Sequence, residues 1–179
     1  MSDKPSQHQP SGPLLVDQLR FMADRYPDEP GYVDLDAKTT LTFRQWDERS
    51  NQAARWLIDN GVRKGDRVAI ALPNDYCLRW IVAYAAVHKA GAVMVPANTR
   101  LSIPEMIAIL GHAEISVMFT CVGLLEHARA VRASVPELRS IVSADGPDDG
   151  IVGWDNEISA LDTSEIQVPV DADDMADIM

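Results

Sequence analysis

Four histidines, two cysteines and one acid-rich turn are the residues of this chain whose types could do chemistry on their own. Imidazoles and thiolates bind zinc, or act as bases and nucleophiles, when they stand close to one another or to carboxylates. In this sequence His8, His88, His112 and His127 are scattered, with no carboxylate or cysteine at ligand spacing from them. His88 stands beside Lys89 at the end of a helical stretch, where positive charge suits the negative end of a helix dipole. Cys77 and Cys121 lie in apolar surroundings, which predicts inert buried thiols in a reducing compartment, the cytosol. Asp145-Gly146-Pro147-Asp148-Asp149-Gly150 could suggest a calcium loop, but the alternating ligands and distal glutamate are missing, so it reads as a surface loop. No Gly-x-Gly-x-x-Gly follows a strand, which argues against dinucleotide binding. A Walker-type loop and a Gly-x-Ser-x-Gly elbow are also missing. Trp46, Trp56, Trp80 and Tyr84 recur at helical spacing and read as core rather than as a cofactor stack. The residues describe a scaffold without a complete catalytic centre.

The elements that would position any site are legible. Leu15, Leu19 and Met22 predict a helix over 14–26, stopped by Pro27. Residues 32–34 and 40–41 bracket Asp36-Ala37-Lys38 as a small hairpin. Thr42 and Gln45 then form a capping box, with Leu41 and Trp46 at the positions of a hydrophobic staple. Phe43, Trp46, Ala53 and Leu57 share one face of the helix that follows, and Gly61 suits the left-handed residue after it. Short apolar runs at 68–72, 92–96, 115–119 and 138–142 begin 24, 23 and 23 residues apart. Helical stretches at 76–90, 103–110 and 123–133 lie between them, with Gly91 and Gly111 as stop signals. Ser102 with Glu105 repeats the capping-box pattern, and Leu101 with Met106 the staple. Strands without alternation are buried on both faces, so the fold class is α/β, repeated βα units forming a largely parallel sheet flanked by helices. Residues 143–153 are expected to be a loop, and 154–161 a helical turn.

Charge divides the chain. Residues 1–139 hold sixteen acids and all sixteen Lys and Arg, whereas 140–179 hold eleven acids and no Lys or Arg, giving the net charge of −11. No basic stripe exists, so no nucleic-acid partner is expected. No apolar run is long enough to cross a bilayer. Three parts are predicted: a polar disordered leader at 1–13, an α/β subdomain at 14–161, and an acidic, extended, solvent-facing tail at 162–179. Ala176 to Met179 resemble the opening of one more strand, so the sequence reads as the front of a longer chain. A sheet cut there would leave an open edge, a setting for self-association.

Two stretches are more specific than their chemistry. One runs from Leu41-Thr42-Phe43-Arg44-Gln45-Trp46 through Asn51, Ala54 and Leu57 to Gly61-Val62-Arg63-Lys64-Gly65-Asp66-Arg67-Val68-Ala69-Ile70. The other is His88-Lys89-Ala90-Gly91-Ala92-Val93-Met94-Val95-Pro96-Ala97-Asn98-Thr99-Arg100-Leu101, with Pro73-Asn74 between the two. Together they resemble the first blocks of the adenylate-forming (AMP-binding) superfamily, and the ending Asn98-Thr99-Arg100-Leu101 is most similar to acyl- and aryl-CoA ligases. The resemblance implies the first part of the large N-terminal domain of an acyl-CoA synthetase, acting on a fatty or related acid. It implies ATP, Mg²⁺ and coenzyme A as cofactors: a carboxylate attacks the α-phosphorus and releases pyrophosphate, then the thiol displaces AMP. Donors must meet the developing phosphate charge, and a dry pocket must guard the mixed anhydride. The phosphate loop, the Mg²⁺-binding glutamate and the catalytic lysine of that family match no residue here. The 179 residues alone are therefore expected to be inactive and to bind none of these cofactors tightly. Only Arg100 matches a functional position, one at which some aryl-CoA ligases set an arginine against a phosphate of CoA; a guanidinium fork suits that anion. The alternative is a stand-alone, non-catalytic interaction or regulatory module derived from the same fold.

Overall fold

The computed structural model describes residues 14–179; the expected leader lies outside them. Helix α1 (Leu15–Arg25) is followed by a hairpin of β1 (Pro30–Asp34) and β2 (Thr39–Thr42). Asp34 organises its turn, its Oδ1 accepting from the amides of Asp36 and Ala37 at 3.0 and 2.9 Å. Helix α2 (Phe43–Asp59) starts on the expected capping box: Thr42 Oγ1 accepts from Gln45 N, and Gln45 Oε1 from Thr42 N. It ends with Gly61 at φ +83° and paired bonds from Gly61 N to Ile58 O and Val62 N to Leu57 O, which satisfy two carbonyls that the helix leaves open.

Strands β3 (Arg67–Ile70), β4 (Val93–Pro96), β5 (Val117–Thr120) and β6 (Ser140–Ser143) pair in parallel in the order β4-β3-β5-β6. Helices α3 (Cys77–Lys89), α4 (Ile103–His112) and α5 (Leu125–Ser134) connect them. Helices α1, α2 and α3 pack on one another, and α4 packs on α5. With right-handed crossovers this covers both faces of the sheet. Burial follows: Val68, Ala69, Ile70, Val117, Met118, Phe119, Ile141 and Val142 are almost completely shielded, as strands covered on both faces require.

Three expectations change. Gly111 does not stop its helix; α4 runs on to His112, and Glu114 takes the left-handed residue at φ +50°. The reason is burial, since the extra residues let Leu110 and Ile115 close over the core while Ile115 N bonds Leu110 O. The loop at 143–153 hides a fifth parallel strand, β7 (Val152–Gly153), beside β6, leading into α6 (Trp154–Glu157). Two residues are too few to show a pattern. Finally, residues 162–179 are extended and mostly exposed but lie docked on the body. Their acids meet its cations in Arg20–Glu165, Arg55–Asp162 and Lys64–Asp174 pairs at 3.1, 3.8 and 2.6 Å, and Ile166 is buried. Ala176 to Ile178 then bridge to Met94 in parallel, so the edge of β4 is partly covered.

Candidate functional site

In parallel α/β sheets, ligands gather outside the carboxyl ends of the strands, near the point where strand order reverses. Here β3 is followed by β4 on one side and by β5 on the other, so the reversal falls at β3. The loops leaving β3 and β4 build a cleft of about 430 Å³ at that edge, lined by Pro73, Asn74, Asp75, Asn98, Thr99 and Arg100. Asn98 holds its own loop: its Oδ1 accepts from Arg100 N at 3.0 Å, and its carbonyl from Leu101 N. Ser102 and Glu105 then start α4, the Glu105 carboxylate accepting from Ser102 N at 2.9 Å and Oγ at 2.6 Å. Those bonds hold the Glu105 carboxyl below its ordinary range. Arg100 is exposed, and among the described residues its guanidinium has no acid within ion-pair distance. The surface ion pair that would explain it structurally is not formed.

Beside this cleft, Asp145 closes the other loops. Tyr76 Oη donates to its Oδ1 at 2.7 Å and Val122 N to its Oδ2 at 2.6 Å. The bond to Asp145, then burial, push the Tyr76 phenol well above its ordinary range, so it stays a donor. Burial raises the Cys121 thiol, and burial with the bond to Asp34 raises Cys77. Cys77 is only partly buried, contrary to expectation, because its Sγ reaches the hairpin carboxylate Asp34 Oδ2 at 3.2 Å. Neither thiol is a thiolate nucleophile. Among the described residues no three His, Cys, Asp or Glu side chains group as metal ligands. The Arg100 cleft carries amide, hydroxyl and guanidinium groups, which can donate to an anion, together with the Asp75 carboxylate.

At the far end of α3 the sequence hid a polar cluster. Lys89, fully buried, donates to Asp47 O at 2.9 Å, Asp47 Oδ1 at 2.6 Å and Asn51 Oδ1 at 2.7 Å. Its three donors are satisfied, yet burial draws its ammonium down to about 8. His88 Nε2 lies 3.0 Å from Asp177 Oδ1 and 3.2 Å from Ala176 O, both acceptors, so it donates. Asp47, Asn51 and Asp177 are too distant along the chain to signal these partners by spacing.

The chain matches the AMP-binding enzyme family over residues 19–179. It belongs to that family. It is 36% identical over 151 residues to a methyl-dioxo-octahydro-indenyl-propanoyl:CoA ligase of Mycobacterium tuberculosis, an alignment covering 82% of this chain and 28% of that protein. It is 37% identical over 92 residues to the long-chain-fatty-acid–CoA ligase FadD13 of the same species, covering 51% of this chain and 18% of that one. Among solved structures, the N-terminal domain of FACL13 from Mycobacterium tuberculosis superposes with a TM-score of 0.82 at 28% identity, over 92% of this chain and 40% of that one. The anthranilate CoA ligase AuaEII in complex with anthranoyl-AMP gives 0.83 at 25% identity, over 90% and 31%. The fold described above is therefore that of the N-terminal domains of CoA ligases, and the chain spans less than a third of the first relatives it matches.

Proposed function

We propose that these residues are the N-terminal part of an ATP-dependent acyl-CoA synthetase that joins a fatty or related carboxylic acid to coenzyme A in the cytoplasm. The observation that carries the reading is the family match over 19–179, with relatives that are CoA ligases for acids as different as a ring-bearing propanoate and a long-chain fatty acid. No helix among the described residues is long and apolar enough to cross a membrane, which is compatible with that location.

The chain's own residues would serve binding, not bond making. Arg100, unpaired on a loop held by Asn98, would set its fork of donors against a phosphate of CoA. Asn74, Asn98 and Thr99 line the same cleft and would complete its polar wall. ATP and Mg²⁺, when bound to the longer protein, supply the activated phosphorus and its charge neutralisation; no described residue is assigned to hold either.

Acid-dependent exchange of radiolabelled pyrophosphate into ATP tests this. The gene read through past the codon for Met179 should give a longer protein that exchanges label only when an acid is present. The 179 residues alone should give none. Exchange by the short chain would overturn its inactivity, and a longer protein silent across aliphatic and aromatic acids would overturn the ligase reading.

A further inference from the structure

One cluster lies outside the cleft and is not used by the chemistry above. Trp80, Tyr84 and His88 stand four residues apart on α3 and form an aromatic ladder. Trp80 stacks on Tyr84 with centroids 5.3 Å apart, and Tyr84 meets the His88 ring edge-on at 4.4 Å. The two lower rungs aim polar atoms at one carboxylate: Tyr84 Oη lies 3.4 Å from Asp177 Oδ2, and His88 Nε2 lies 3.0 Å from Oδ1. His88 is 7% exposed and Asp177 19%, so the contact is shielded from bulk water, where such bonds are strongest. The Tyr84 phenol is raised by its burial and then by the Asp177 charge, so it remains a donor at neutral pH.

The same three residues fix a backbone. Met94 N donates to Ala176 O and Ile178 N to Met94 O, both at 2.9 Å, while His88 Nε2 also reaches Ala176 O. This is a parallel pairing to an edge strand through one bridge, with no turn to set its register. A one-residue slip would turn Asp177 to the other face and bury Ile178 or Ala176 against the rings instead. Being parallel to β4, the segment delivers the chain that follows it to the carboxyl edge, the edge that carries the Arg100 cleft.

We propose that Asp177 is a positioning residue: latched by Tyr84 and His88, it fixes the register of residues 176–178 on β4 and so the point at which the following segment enters the ligand edge. This rests, for its consequence in catalysis, on the ligase reading above; the latch itself does not. Ile178 also packs on the core, but of the side chains of residues 176–178 only Asp177 is hydrogen-bonded across to α3.

Two measurements test it. In the 179-residue chain, amide exchange at Ile178 and Met94 should accelerate about tenfold or more in Asp177→Ala and His88→Ala, the order expected for loss of a shielded, charge-assisted bond. Asp177→Asn keeps an acceptor for His88 and should restore most protection, and Tyr84→Phe, which keeps the ring, should cost less. Exchange unchanged in Asp177→Ala, with the fold intact by circular dichroism, would overturn the latch. In the longer enzyme, Asp177→Ala should slow acid-dependent pyrophosphate exchange by roughly tenfold, with Asn restoring most of it. Pyrophosphate exchange unchanged in Asp177→Ala, or slowed without rescue by Asn, would overturn the positioning role. A wild-type longer protein without acid-dependent exchange would sink the ligase reading instead, and the amide measurement would still decide the latch.

Discussion

The two ends of α3 hold cations in opposite ways. Near its C-terminus Lys89 is buried and fully bonded to Asp47 and Asn51, and its neighbour His88 is shielded and bonded to Asp177. Near its N-terminus, at the carboxyl edge of the sheet, Arg100 is exposed and unpaired among the described residues. A buried ammonium survives only when its donors are all met, so the first end is committed to structure. An exposed guanidinium on a loop held by Asn98 loses little by waiting for an anion, so the second end is available for a ligand. The comparison separates a cation committed to structure from one, Arg100, that is left unpaired among the described residues on a polar cleft.

The comparison breaks most easily at Lys89. Lys89→Met leaves the Asp47 carboxylate and Asn51 amide without their partner and should cost about 3 kcal/mol in urea unfolding at pH 7. The gap should widen with pH. The folded lysine gives up its proton near 8, whereas the unfolded one keeps it to about 10.5. Between those values the unfolded state binds more protons, so the wild type gains stability as pH rises. The methionine variant lacks this gain, and the difference should grow by about 2 kcal/mol between pH 8 and 10. A gap that stays level or narrows over that range would show Lys89 to be unperturbed.

A smaller effect is expected at Gly91, just past the buried end. It sits at φ +68° after α3, and an added Cβ would lie 2.9 Å from Val168 Cγ1 of the docked acidic segment. Gly91→Ala should cost about 1–2 kcal/mol and speed amide exchange in 167–178 more than in β3 or β5. Uniform acceleration would mean that the strain is local to the turn and that the segment does not rest there. The smallest effect on folding belongs to Arg100→Ala, within about 0.5 kcal/mol by thermal unfolding. In the longer protein the same change should raise KM for CoA by about tenfold and leave pyrophosphate exchange, which precedes CoA, unaltered. A stability loss above that, or a slowed exchange step, would move Arg100 from the ligand side of the comparison to the structural side.

Much of the architecture could be read from the residues because it rests on local rules. The capping box at Thr42 and Gln45, the left-handed Gly61 and Gly91, and the short apolar runs of β3 to β6 each state their structure within a few positions. Gly111 shows the limit: its composition says stop, but the burial of Leu110 and Ile115 carries the helix past it, and Glu114 accepts the strained backbone instead. Strand β7 was illegible because two residues carry no period. The acidic segment was legible in charge but not in contact, since its partners Arg20, Arg55, Lys64 and His88 lie 89 to 145 residues upstream of the acids they meet.

By itself, the sequence determined the α/β class, the order of the elements up to β6 and the family. Each follows from a pattern that neighbouring residues repeat. Only the tertiary structure decided which polar side chains find partners. It brought Asp47 and Asn51 to Lys89, Asp177 to His88 and Asp145 to Tyr76, and brought no acid to Arg100. Partnership across the chain depends on distance in space and on exclusion of water, and neither is written in the spacing of residues along the chain.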